Sequence, residues 1–157
     1  MRIEYFQLID RVTELNLTDL KIRAEATIPT DSTIFEGHFP GYPLMPGVLL
    51  IEAMAQTCGW LIIARNGFAR MPFLASVKEA KLRSFATPGQ VLTIEGRLDH
   101  EGSGFAVAEA NIRAAGKLVC DADITFRLMP FDNPGFRTSM EQTAARLGLP
   151  VEAAVDG

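Results

Sequence analysis

Hydrophobic residues fall most densely between Val48 and Ala64, where Val48, Leu49, Leu50, Ile51, Ala53, Met54, Ala55, Cys58, Trp60, Leu61, Ile62 and Ile63 occupy every side of a helical wheel. Pro46 suits a first helical turn, where its missing N–H costs nothing, and Asn66-Gly67 supplies a C-terminal stop. The spacing therefore predicts a helix from Pro46 to Arg65, and a helix that is apolar all round belongs in the middle of a core. Glu52 and Gln56 interrupt the run, which is marginal in length for a membrane span.

Period-two alternation marks strands on both sides of that helix. From Leu20 to Ile28, Leu20, Ile22, Ala24 and Ala26 share one face and Lys21, Arg23, Glu25 and Thr27 the other, until Pro29 ends the run. Residues 3 to 15 suit a short helical turn leading into an edge strand. After the helix come Phe73–Phe85, Gln90–Asp99, Phe105–Ala114 and Lys117–Leu128, separated by short turn-forming segments that predict an antiparallel meander. Strands around one dominant helix give an α+β chain whose economical architecture is a curved antiparallel sheet wrapped around a long central helix. Between Phe35 and Gly47, three prolines and three glycines predict a long shaped loop. Ser139 to Leu147, stopped by Gly148, reads as a short surface helix, so residues 1–130 form the expected domain and 131–157 a C-terminal extension.

Composition narrows the class. A chain of 157 residues, 48% hydrophobic and 22% charged, fits one globular domain. A net charge of −4 supplies no overall basic field, so neither nucleic acid nor a membrane surface is an expected partner. Cys58 and Cys120 sit in apolar runs with no metal-ligand spacing, which predicts buried reduced thiols and no metal site. An acid and a Gln lie within Met1–Gln7, where a signal peptide would be apolar, so a cytoplasmic location is expected.

Glu52 is the chemical anomaly. On an all-apolar helix it has no solvent-facing stripe, and a carboxyl removed from water favours its proton-bearing form, as a general acid requires. Gln56 follows one turn later on the same face, where the pair can hold a water or a substrate hydroxyl. The structural alternative is a Glu paired with an Arg or a buried water. His38 lies between Gly37 and two X-Pro steps, Phe39-Pro40 and Tyr42-Pro43, in a backbone suited to fixing an imidazole, although an isolated loop His is more often structural. Gly47, in the first helical turn, has a backbone N–H free to polarise a carbonyl oxygen. A base, a carbonyl-binding amide and an acid together suit proton abstraction alpha to a thioester with loss of a beta hydroxyl.

The segment Gly37-His38-Phe39-Pro40-Gly41-Tyr42-Pro43-Leu44-Met45-Pro46-Gly47-Val48-Leu49-Leu50-Ile51-Glu52-Ala53-Met54-Ala55-Gln56 closely resembles the signature of the FabZ-type 3-hydroxyacyl-acyl-carrier-protein dehydratases. The resemblance runs from about Phe6 to Phe126 and takes in Leu8-Ile9-Asp10-Arg11-Val12, Thr87-Pro88-Gly89 and Gly116-Lys117-Leu118-Val119-Cys120. It implies a hot-dog fold, a homodimer that admits a hexamer of three dimers, and sites combining His38 of one chain with Glu52 of the other. It further implies that His38 removes the alpha proton, that Gly47 N–H binds the thioester carbonyl, and that Leu44 C=O orients the imidazole. Glu52, assisted by Gln56, then protonates the departing hydroxyl. No metal or organic cofactor enters, and the partner is an acyl carrier protein bearing a 3-hydroxyacyl chain.

Phe73 stands where the family often has a gating Tyr, and Arg83-Ser84-Phe85-Ala86 and Gln90 also depart from the family pattern. For an acidic carrier, Arg65, Arg70, Lys78, Lys81 and Arg83 form the densest basic group, with ordinary solvated charges as the alternative. Trp60, Met45 and Met54 suit either an acyl channel or the core; Tyr42 suits a gate or loop packing; His100 suits an exposed turn. The rival readings are a hot-dog thioesterase, a coenzyme A-linked hydratase and a non-catalytic acyl-binding subunit.

Overall fold

A computed structural model describes residues 1–150; the small-residue tail of the extension beyond Pro150 lies outside the described residues. In chain order the larger elements are β1 (Arg11–Asn16), β2 (Lys21–Thr27), α1 (Thr33–Gly37), α2 (Gly47–Arg65), β3 (Arg70–Leu82), β4 (Val91–Gly102), β5 (Phe105–Ala114), β6 (Lys117–Pro130) and α3 (Pro134–Arg146). The six strands form one antiparallel sheet in the order β1-β2-β4-β5-β6-β3. Helix α2 packs against β2, β3, β4, β5 and β6, so the sheet wraps it as expected.

Small residues on the inner sheet face let the helix come close. Ala106, Ala108 and Ala110 of β5 and Ala24 and Ala26 of β2 are buried, and a Cβ added at Gly96 of β4 would lie 2.7 Å from the Cys58 sulfur on α2. Into that space α2 presents Met54, Leu61, Ile62 and Ile63, each at most 1% exposed. Burying a side chain of this size contributes roughly 1.5–3 kcal/mol. Thr57, a buried polar residue on α2, is satisfied by donating its hydroxyl to Ala53 C=O at 2.8 Å. By length and composition α2 could cross a membrane, but 67% of its apolar window is buried inside this fold, as a core helix would be.

The β4–β5 and β5–β6 turns each place two consecutive residues at positive φ: Ser103 (55°) with Gly104 (80°), and Ala115 (51°) with Gly116 (77°). That backbone twist suits two-residue hairpins, and it fixes the β4-β5-β6 meander. The expected four-strand meander is corrected at β3. It pairs with β6 at the far edge, while β4 pairs with β2, and the segment from Arg83 to Gln90 crosses between them. Alternation identifies a strand but does not choose its neighbour.

Two further differences concern helices. One turn of helix, α1, lies inside the region expected as loop, capped by Ser32, whose hydroxyl accepts from Ile34 N–H at 3.1 Å. Helix α3 begins before Ser139 because Asn133 caps it, accepting from Gly135 N–H at 2.7 Å, and Pro134 occupies its first turn. Its Ala144, with Leu147 and Leu149 just beyond, joins the core, and Val12 N–H donates to Leu147 C=O at 2.7 Å.

Candidate active site

The loop after α1 is pinned at several points. Phe39 and Tyr42 exchange backbone hydrogen bonds of 2.9 and 2.8 Å across Pro40 and Gly41, the latter at φ 72°. Leu44 N–H donates to His38 C=O at 2.9 Å, and Met45 N–H donates to Ala86 C=O at 2.8 Å, tying the loop to the chain beyond β3. Within this frame His38 Nδ1 lies 2.9 Å from Leu44 C=O, and its ring stacks on Phe39 at 4.1 Å. A carbonyl oxygen only accepts, so the shared hydrogen belongs to Nδ1 and Nε2 carries the lone pair of the neutral ring. The imidazole is half-buried, and an aimed lone pair is what a general base needs.

Glu52 occupies the second turn of α2. Gln56 Nε2 donates to Glu52 Oε1 at 3.3 Å and to Phe6 C=O at 2.8 Å, while Gln56 Oε1 accepts from Leu8 N–H at 3.2 Å. With both amide hydrogens and its oxygen engaged, Gln56 is held by the N-terminal segment and in turn holds the carboxylate. The sequence reading anticipated the Glu52–Gln56 pair but not this clamp, since backbone groups of Phe6 and Leu8 leave no compositional signal.

The expectation of a fully buried Glu52 is corrected: it is half-buried. The first half of α2 is open, with Val48 71% exposed and Ile51 only partly covered, because the sheet encloses the helix fully only from Ala53 onward. Gly47 opens α2, so its N–H has no intrahelical acceptor behind it. A Cβ there would fall 2.3 Å from Leu82 Cδ1, showing how closely the end of β3 lies over the helix start.

Glu52 and Gln56 line a cavity of about 340 Å³. Ala55, Gly59, Trp60 and Ile63 continue its floor along α2; Met71, Pro72, Leu74 and Phe126 come from β3 and β6; Phe6, Gln7 and Ile9 come from the N-terminal segment. Met140, Thr143, Arg146 and Leu147 of the α3 region complete the lining, and three of them, at i, i+3 and i+7, carry a helical-face signal that was readable in the sequence. Trp60 therefore lines the cavity, whereas Met45 and Met54 are buried elsewhere in the core.

His38, Leu44 and Gly47 are not part of this lining, so one chain does not bring the imidazole into the Glu52 cavity. Phe73 is 45% exposed and is likewise absent from the lining, although its neighbours Pro72 and Leu74 contribute. Tyr42 is 60% exposed, and His100 is exposed near the end of β4. The basic group divides. Arg70 begins β3 and Lys78 follows eight residues later, about 26 Å along a strand. Arg83 is paired with Asp121 at 2.6 Å.

Residues 2–123 match the FabA-like domain family. The chain belongs to the FabA-like family. Among curated relatives of this FabA-like chain, the protein named 3-hydroxyacyl-[acyl-carrier-protein] dehydratase FabZ of Lactiplantibacillus plantarum is 36% identical over 119 residues, covering 75% of this chain and 80% of the relative. The FabZ protein of Levilactobacillus brevis is 34% identical, covering 80% and 84% respectively. Two solved structures share the hot-dog fold of the FabA-like chain. The dehydratase heterocomplex ApeI:P of Xenorhabdus doucetiae matches with a TM-score of 0.63 at 19% identity, covering 88% of this chain and 89% of that one. A hypothetical thioesterase of Streptococcus pneumoniae with coenzyme A matches at 0.62 and 17%, covering 78% and 88%.

Proposed function

We propose that this chain is a 3-hydroxyacyl-[acyl-carrier-protein] dehydratase, converting (3R)-3-hydroxyacyl thioesters to trans-2-enoyl thioesters in fatty-acid or related acyl-chain biosynthesis. The observation that carries the reading is the pair of separately prepared groups inside a family signature. One is His38, with Nδ1 committed to Leu44 C=O and Nε2 free. The other is Glu52, held by Gln56 on an otherwise largely apolar cavity.

In the reaction, His38 Nε2 takes the alpha proton while the thioester carbonyl oxygen gathers negative charge, and Gly47 N–H stabilises that charge at the helix N-terminus. Loss of the beta hydroxyl as water requires a proton, which Glu52 delivers as the carbon–oxygen bond breaks, so that one water leaves and one double bond forms. Afterwards the proton on His38 must return to Glu52, directly or through water. The thioester itself acidifies the alpha carbon, so these residues need no metal or organic cofactor.

His38 and Glu52 of one protomer do not share a cavity, which favours a homodimer with each site drawn from both chains, and a hexamer of three such dimers is compatible with it. The assembly acts in the cytoplasm on chains presented by a carrier protein.

The test follows enoyl absorbance on 3-hydroxyacyl-carrier substrates of several lengths, with His38→Ala and Glu52→Gln beside the wild type. Each variant is expected to lose at least about 10²-fold in kcat. Wild-type inactivity at every length, variants equal to wild type, or release of free thiol in place of enoyl product would overturn the reading, the last in favour of a thioesterase.

A further inference from the structure

The cavity at Glu52 has one wall that lies outside the family domain. Family matching ends at residue 123, whereas Met140, Thr143, Arg146 and Leu147 come from α3 and its C-terminal boundary. The floor along α2 runs from Glu52 to Ile63, eleven residues or about 16 Å of helix. Apart from Glu52 and Gln56 at its head, that floor is Ala55, Gly59, Trp60 and Ile63, and the other polar side chains of the lining, Gln7, Thr143 and Arg146, come from the N-terminal segment and α3. It suits a hydrocarbon chain attached to a polar head that Glu52 can reach.

Helix α3 is anchored in place over this floor. Its N-terminus is capped by Asn133, its far end is fixed by Val12 N–H donating to Leu147 C=O at 2.7 Å, and Ala144 is fully buried. Thr143 spends its hydroxyl on Ser139 C=O at 3.0 Å, so it makes no demand for a polar ligand. A capped, anchored helix turning Met140, Thr143 and Leu147, with Arg146 beside them, toward a largely apolar cavity is a rigid boundary for whatever fills it.

We infer that α3 is the chain-length determinant of this enzyme, its Met140–Thr143–Leu147 face forming the wall against which the distal acyl carbons of the substrate pack. The inference rests on the dehydratase reading and adds the element that sets substrate length. One methylene in a hydrophobic pocket changes discrimination by about tenfold or more, so modest changes in this wall are readable.

The experiment compares kcat/KM for 3-hydroxybutyryl and 3-hydroxydecanoyl carrier thioesters in wild type, Thr143→Phe, Met140→Ala and Gln142→Phe, the last adding the same bulk on the exposed side of α3. Thermal unfolding of each variant accompanies the kinetics. Thr143→Phe is expected to lower the decanoyl-to-butyryl ratio at least about tenfold, Met140→Ala to raise it, and Gln142→Phe to leave it where it was. A ratio that neither Thr143→Phe nor Met140→Ala moves, or that Gln142→Phe moves equally, overturns the role of α3 while leaving an active dehydratase in hand. Wild-type protein that yields no enoyl product from either substrate overturns the dehydratase reading and this inference with it.

Discussion

Replacing Gln56 with Met keeps an unbranched side chain of similar length but removes three hydrogen bonds. They are not equal. Phe6 C=O lies on the exposed side, where water takes the place of the lost donor, and the 3.3 Å contact to Glu52 is long. Leu8 N–H is different: Leu8 is fully buried, and its bond to Gln56 is only partly open to solvent. An orphaned buried donor costs about 1–3 kcal/mol, which for a domain of this size lowers Tm by roughly 2–12 °C. Catalysis should suffer separately, because Glu52 loses the group that fixes its oxygen; a displacement on the order of 1 Å is enough to cost about 10²-fold in kcat. Thermal unfolding and enoyl-forming kinetics on the same preparation read both effects. Gln56→Glu separates them, since it returns an acceptor to Leu8 N–H while setting a carboxylate against Glu52 and Phe6 C=O. It should recover part of the Tm and none of the kcat. A Gln56→Met protein with lowered Tm and unchanged kcat refutes the positioning role, and unchanged Tm refutes the clamp.

Gly96→Ala puts a Cβ 2.7 Å from Cys58 Sγ and 3.2 Å from Ile22 Cγ2, both on buried residues, and should cost about 1–3 kcal/mol in urea unfolding. Adding Cys58→Ala should restore at least about 0.5 kcal/mol relative to the sum of the single changes; strict additivity would show that the contact does not limit packing. Burial, with a smaller push from the charge of Asp99, lifts the Cys58 thiol from an ordinary 9.0 to about 12. The fold keeps that proton while the unfolded chain releases it, so stability holds below pH 9 and falls as pH rises toward 12, by about 1.4 kcal/mol per pH unit. Urea unfolding across that alkaline range should show a shallower decline in Cys58→Ala, and an identical decline would remove Cys58 as its source.

The legible parts of this chain were those whose determinants are contiguous. Helix α2 announces itself because Pro46, a long apolar run and Asn66-Gly67 lie in one stretch, and the β4-β5-β6 hairpins because each turn carries its own glycine. The position of β3 was hidden because its alternation is the same whichever strand it joins. Helix α1 was masked by the prolines and glycines immediately after it. The start of α3 was hidden because Pro134-Gly135 reads as a break when it is a capped first turn. At the site, Glu52 stands out on physical grounds, whereas His38 depends on its surroundings: the 2.9 Å bond to Leu44 C=O is made by backbone geometry that no residue spacing encodes.

The same geometry bears on how the site is completed. Strand β3 is an edge thirteen residues long, with Phe73 45%, Leu74 48% and Leu82 53% exposed. An unpaired edge carrying exposed apolar side chains is a template for another strand. At its C-terminal end Leu82 lies over Gly47, so a partner strand added to β3 would arrive beside the open first half of α2, at Val48, Ile51 and Glu52. Met45 N–H ties the His38 loop to Ala86, four residues beyond that strand. In an antiparallel pairing along β3, the His38 loop of a second copy, tied beyond the C-terminal end of its own β3, would arrive beside Met71 and Leu74, which line the Glu52 cavity. One contact would then cover the strand edge, withdraw Glu52 from solvent and supply the imidazole that its own cavity lacks.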